Sequence, residues 1–260
     1  MNPARSLRCA SLAMACVAST VAAHAADAPP PPEGRWYGSG QAGLVIATGT
    51  ADTTAANARL DLARTDGPWR NSVYVNGLYS KNNGLLAGES IEARYKLDRK
   101  ISDRVYWFGS ADVIRDRFSG FNYQATLAGG VGYKFIDSDA TKLDAFAGIG
   151  YQRLQPQVLV ISSSGEVIER INLSSQGDAV AIAGLDFEHH FTKSTALTDK
   201  LFITAGSLNT SIANDLALTV AMSDRLALSL GYGIRENTKP AAGATRLNTL
   251  TTANLVYNFR

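Results

Sequence analysis

Beyond residue 25 the chain has no cysteine, since its two, Cys9 and Cys16, both precede that point. No disulfide framework and no thiol chemistry are available to the remainder. Long apolar runs are missing too. A helical span needs about 20 mostly apolar residues in succession, and nothing after the first two dozen supplies them. Charge of one sign is also lacking. The first 25 residues hold Arg5 and Arg8 and no acid, which leaves 23 basic residues against the 23 acidic ones. That balance removes the basic excess expected of a nucleic-acid binder, so no nucleic acid is expected as a partner. Of three histidines, only His189 and His190 lie beyond the first 25 residues. Adjacent strand residues point to opposite faces, so this pair cannot chelate one metal, and neither a metal nor a cofactor is expected.

What is present begins with a leader. Arg5 and Arg8 precede an apolar stretch from Cys9 to Val21, and Ala23-His24-Ala25 offers a small-x-small cleavage pattern. Residues 1–25 therefore read as a cleaved export signal and 26–34, with Pro29 to Pro32, as a stiff periplasmic tether. Residues 35–260 form the functional domain.

Its dominant signal is a period of two. Phe121, Tyr123, Ala125, Leu127, Gly129, Val131, Tyr133 and Phe135 alternate with Asn122, Gln124, Thr126, Ala128, Gly130, Gly132 and Lys134. Aromatic residues at both ends of one apolar face, with smaller ones between, suit a strand facing a bilayer. The mean hydropathy of -0.06 fits such a chain, because outward apolar and inward polar positions cancel. Similar segments are expected near 35–47, 54–64, 69–80, 88–98, 103–114, 120–135, 142–154, 177–191, 197–206, 213–222, 225–236 and 247–259. The expected fold is all-β: an antiparallel transmembrane β-barrel of about 12 strands in an up-and-down meander. No helical period competes with it.

The connections divide into two kinds. Thr65-Asp66-Gly67-Pro68, Asp98 to Asp103, Asp137-Ser138-Asp139, Thr192 to Thr195 and Ser223-Asp224 are short and rich in turn formers. The alternate set includes the two longest, Gln155 to Gln176 and Glu236 to Arg246. Outer-membrane barrels keep short turns in the periplasm and long loops outside. A soluble β-sandwich or a periplasmic binding barrel would also alternate, with its apolar face inward and shorter strands.

Trp36-Tyr37-Gly38, Gly43-Leu44, Gly49, Arg115-Asp116, Gly130-Val131-Gly132-Tyr133 and Gly148-Ile149-Gly150-Tyr151 follow one another in a characteristic order. In these the chain, from about Trp36 to Phe259, resembles the YdiY-like family of salt-induced outer-membrane proteins, a domain family of unknown function. The resemblance implies a barrel in the Gram-negative outer membrane, a link to salt or osmotic stress, and no catalytic residues. The last strand is similar to the signal read by the barrel-assembly machinery, with Tyr257 and Phe259 as its alternating aromatics. Asn254 stands where glycine is usual, and Arg260 follows the final aromatic.

Candidate chemistry is sparse. A lipid-modifying barrel enzyme would need a serine on a histidine with a third, orienting group, and Ser194 near His190 is only a turn residue. Asp137-Ser138-Asp139 starts like a calcium loop but has Gly148 at position 12. The inward face is the remaining candidate site. It carries Arg59, Arg70, Arg94, Lys96, Arg104, Lys134 and Arg235 with Asp61, Glu92, Asp112, Asp144, Asp186 and Glu188. Such a set forms either a rigidifying ion-pair network or the lining of a small passive pore, most simply in a monomer surrounded by outer-membrane lipid.

Overall fold

The computed structural model describes residues 33–47, 53–83, 85–117, 119–162, 167–240 and 246–259. The leader and most of the tether fall outside these residues, as do Gly49 and Arg260. Thirteen strands follow in chain order: β1 (Trp36–Ala47), β2 (Thr53–Asp66), β3 (Trp69–Asn82), β4 (Leu85–Lys100), β5 (Val105–Asp116), β6 (Phe121–Asp137), β7 (Thr141–Ile161), β8 (Val167–Asn172), β9 (Gln176–His190), β10 (Thr195–Gly206), β11 (Thr210–Ala221), β12 (Leu226–Asn237) and β13 (Leu247–Phe259). Each strand of β1–β7 pairs antiparallel with the next, as do those of β9–β13. β7 pairs with β9, and β13 pairs with β1. The result is a closed meander of twelve strands. β8 pairs only with β7 and forms a hairpin outside the closed ring.

Closure satisfies the backbone of nearly every strand on both sides, as a barrel in lipid requires. The faces are inverted relative to a soluble fold. Leu127, Ile149 and Leu230 are 68%, 78% and 62% exposed on the outside, whereas Asp112, Gln124 and Asn254 are buried inside. Contiguous apolar surface on this scale cannot be left in water without association. Trp36, Phe259 and Tyr257 mark the outer surface toward the short-turn rim, and Tyr79, Tyr151 and Tyr232 mark it toward the other.

The short connections match the expected turns. Gly67, at φ 55, closes the β2–β3 turn with a left-handed conformation that Pro68 then stiffens. Gly34, the end of the tether segment, donates its N–H to the Thr65 carbonyl at 2.8 Å and docks the entering chain on that turn.

Three details depart from the sequence pattern. Phe121, expected outward with Tyr123, is buried at 4% exposure. The β6–β7 ladder shifts register between Phe121 and Tyr123, and a slip of one residue carries a side chain to the other face. Second, β7 runs on to Ile161 and turns back as β8, within a connection expected to lack strands. Third, β9 ends at His190, so Phe191 belongs to the following turn.

Candidate functional site

The interior is built by two walls of different chemistry. On one side, β5, β6, β7, β9 and β10 place Tyr106, Phe108, Ala128, Phe146, Val180, Ile182 and Phe202 in a packed apolar slab. Glycines make room for its rings. Gly132 lies directly under the Tyr106 ring and Gly184 directly under that of Phe146, where a side chain would occupy the ring's own space. In register, Tyr106 faces Gly132, and Phe146 lies between Gly132 and Gly184. Phe146 then meets Phe108 edge-on at 5.3 Å and Phe202 at 6.1 Å.

The other wall is charged. Arg59 on β2 pairs with Asp61 at 2.7 Å and lies over the Tyr74 ring at 4.8 Å. Arg94 on β4 holds Asp112 at 2.8 Å and Glu92 at 3.0 Å. Arg235 on β12 makes a two-point contact with Asp215, 2.9 Å in each arm. Bidentate pairing of this kind fixes the guanidinium plane. These arginines do not stay on their own side. The Arg94 guanidinium reaches Phe202 on β10 at 4.3 Å, and β10 stands nearly opposite β4 in the ring. Lys96 ends among Tyr106, Phe108 and Phe146, 4.7–5.2 Å from their centres, with Asp98 as its ion-pair partner at 3.2 Å. Cation–π contacts thus join the charged wall to the apolar one across the lumen.

Three cavities lie along the lumen. The middle one, about 340 Å³, is bounded by Arg94, Lys96, Phe108, Phe146 and Phe202. Toward the long-loop rim is one of about 320 Å³, lined by uncharged polar groups such as Gln41, Asn57, Asn76 and Thr252, by apolar ones such as Leu78 and Leu250, and by Arg59, Glu89, Asp116, Asp215 and Arg235. Arg59, Tyr74, Asp215 and Arg235 line both and so form the belt between them. At the short-turn rim a third, of about 270 Å³, shares Tyr37, Arg70, Lys96, Asp98 and Asp186 with the middle one. Consecutive cavities therefore meet at these shared residues.

The thirteen charged residues singled out from the pattern do not form one cluster. Arg59, Asp61, Glu92, Arg94, Asp112 and Arg235 meet in the central network. Lys96 and Asp186 line the middle and short-turn cavities, and Asp144 accepts the Tyr106 hydroxyl at 2.6 Å. Arg70 lines the same two cavities from an exposed position at the rim. Arg104 is exposed in the β4–β5 turn and lines the short-turn cavity, and Asp103 beside it is held below the usual carboxylate range by hydrogen bonding and charge from Lys100. Lys134 turns to Asp137 at 3.0 Å, and Glu188 pairs with His190 at 2.7 Å near the same rim. His189, on the outer face, bonds Thr141 at 2.9 Å and packs edge-on against Phe191 at 4.8 Å.

Pattern reading missed Tyr74, Asp98 and Asp215, which complete the network, and Lys200, which lines the middle cavity. It also missed the role of Phe108, Phe146 and Phe202. Asp215 did carry a signal, since it lies on the parity opposite Ile212, Leu216, Leu218 and Val220. An inward phenylalanine looks like any other apolar residue in a strand whose outward face is also apolar. Among the described residues, no group of three or more His, Cys, Asp or Glu could hold a metal ion.

The family described as a protein of unknown function, DUF481, matches residues 40–259. The uncharacterized protein YdiY of Escherichia coli (strain K12) is 20% identical over 190 residues, covering 72% of this chain and 69% of the relative. Among solved structures, the COG4313 outer membrane channel from Pseudomonas putida F1 superposes with a TM-score of 0.50 at 10% identity. That match covers 88% of this chain and 97% of the channel. The translocator domain of the autotransporter NalP from Neisseria meningitidis gives 0.47 at 13% identity, over 86% and 87% of the two chains. The first of these likenesses shows a shared barrel fold, and the family match over most of the chain places this protein in the YdiY-like DUF481 family.

Proposed function

We propose that this chain is a monomeric outer-membrane β-barrel acting as a small passive pore for small hydrophilic solutes, with no catalytic activity. The carrying observation is the run of three touching cavities through a polar lumen, where a purely structural barrel of this kind would be filled by side chains. The Arg59–Tyr74–Asp215–Arg235 belt and the Arg94–Phe202 contact are the proposed constrictions, both made of side chains able to move without breaking the wall. Near balance of sign within the lumen favours weak ion selectivity. The apolar outer surface supports a bilayer location, and the family resemblance supports the outer membrane and a link to salt or osmotic stress. Tyr257 and Phe259, both exposed on the last strand, are proposed as the residues read by the barrel-assembly machinery.

Unboiled protein is expected to migrate differently from boiled protein on a gel. Reconstituted into planar bilayers, it is expected to give small, brief conductance steps with a cation-to-anion permeability ratio near unity. Folded, inserted protein that gives no steps would identify a plugged barrel. Equal migration with and without boiling would remove the barrel from the membrane. Growth of a deletion strain across a range of salt concentrations tests the stress link separately.

A further inference from the structure

The seam that closes the barrel is incomplete. β1 and β13 pair over only five residues, from Gly38↔Phe259 to Ala42↔Leu255. Both strands continue well beyond that point. Gly43–Ala47 remains fully paired to β2 on its other side, and Leu247–Asn254 remains fully paired to β12. The remaining seams between consecutive strands of the closed ring carry at least eleven paired positions. The last link across the short seam is made by side chains. Asn57 on β2 donates to Asn254 Oδ1 at 2.9 Å, crossing the lumen side of Gly43, whose missing side chain leaves the space for both amides. Above this bridge, among the described residues, two strand edges face each other without a ladder, over roughly 15 Å of strand.

The notch has a defined depth and a defined backing. Tyr79 is in register with Ala56, itself the partner of Leu44, and Tyr232 is in register with Thr251. These outward tyrosines mark the outer interface, where aromatic rings settle between hydrocarbon and headgroups. Behind the notch lies the 320 Å³ cavity, with Gln41, Asn248, Leu250, Thr252 and Asn254 on its seam side. Bare N–H and C=O groups are costly against hydrocarbon, and at this depth they call for a partner able to hydrogen-bond. The cavity's amides and hydroxyls call for the same thing, since its charged Arg59, Glu89 and Arg235 are already ion-paired to Asp61, Arg117 and Asp215. The edges open on the lipid side, and the cavity alone is too small for a lipid.

We propose that the β1–β13 notch is a lateral portal that binds a single-chain amphiphile from the outer leaflet. Its uncharged, hydrogen-bonding head occupies the 320 Å³ cavity, and its chain trails through the notch into the bilayer. The proposal rests on the barrel lying in a membrane and does not require the lumen to conduct.

The test uses the full-length mature chain in lipid vesicles, where any single introduced cysteine is unique. Thr252→Cys places a thiol on the lumen side of the notch, and Asn76→Cys places one in the same cavity on the closed wall. N-dodecylmaleimide dissolved in the bilayer is expected to label Thr252→Cys about tenfold faster than Asn76→Cys, because only the first is reached from lipid without crossing the wall. Water-soluble N-ethylmaleimide is expected to label the two at similar rates, and monolauroylglycerol to slow the first reaction only. Equal rates of dodecyl labelling, or no protection by monolauroylglycerol, would overturn the portal. Efficient disulfide dimers of Thr252→Cys would also overturn it, by showing that the open edges pair with a second copy. Heat-modifiable migration confirms that each variant is folded, with Asn248→Cys as the substitute if Thr252→Cys is not. Conductance of the same proteins is recorded separately, so a silent lumen and a closed seam give different results.

Discussion

Replacing Arg94 by alanine is expected both to widen the conducting path and to destabilise the barrel. The guanidinium crosses the lumen to Phe202 and, among the described residues, is the one cation in contact with both Glu92 and Asp112, whose side chains are 12% and 8% exposed. Its loss leaves two carboxylates side by side in a largely buried place. Breaking such a network from one side costs about 3 kcal/mol, because the remaining charges stay desolvated. Unfolding in urea, followed by heat-modifiable migration in vesicles, should show a lower midpoint and an unfolding free energy reduced by that amount. Single-channel steps of the surviving folded protein should be severalfold larger than those of the parent. Combining Arg94→Gln with Asp112→Asn and Glu92→Gln should recover much of the stability while keeping the larger steps, since three neutral groups can still hydrogen-bond. Unchanged conductance in Arg94→Ala would mean that the narrowest point lies elsewhere.

The second large effect is expected at Gly184. A valine there would have to occupy the volume of the Phe146 ring, which is already held by Phe108, Phe202 and Lys96. Overpacking of this kind costs about 2 kcal/mol or more. The displaced ring has only the middle cavity to enter, so Gly184→Val should also reduce conductance toward zero. Combining it with Phe146→Ala should restore both stability and steps, because the second change vacates the space the first one needs. Urea midpoints and planar-bilayer recordings of the three variants check this. Additive losses in the double variant would sink the account of the ring and glycine as one unit.

Alternation made the strands legible because an outward position in lipid and an inward position in a polar lumen demand opposite residue types. Leu226, Leu228, Leu230 and Tyr232 against Ser229 is readable without coordinates. Turn chemistry at Gly67-Pro68 and at Ser223-Asp224 was equally local. Phe121 was not legible, since a bulge is a property of two strands in register and neither strand alone reports it. The β7–β8 hairpin escaped for a related reason: it is a small two-stranded excursion that never joins the ring, so it has no lipid face to impose a pattern.

The site divides the same way. Inward charges could be picked out from their parity, and Arg59, Arg94 and Arg235 do stand together. Their partners could not be chosen, because Asp61 is two residues from Arg59 whereas Asp112 comes from the neighbouring strand and Phe202 from across the barrel.

The amino-acid sequence by itself determined the strand order, the two faces, the short and long connections and the balance of charge. Each of these depends on residues near one another in the chain and on the contrast between lipid and water. Tertiary structure alone decided which cations cross the lumen, which glycines lie under which rings, where the three cavities meet and how far the β1–β13 seam closes. These are distances between segments up to about 200 residues apart, set when a flat alternating sheet is curled and joined to itself. Curling brings opposite walls within reach of an arginine, and no local pattern records that.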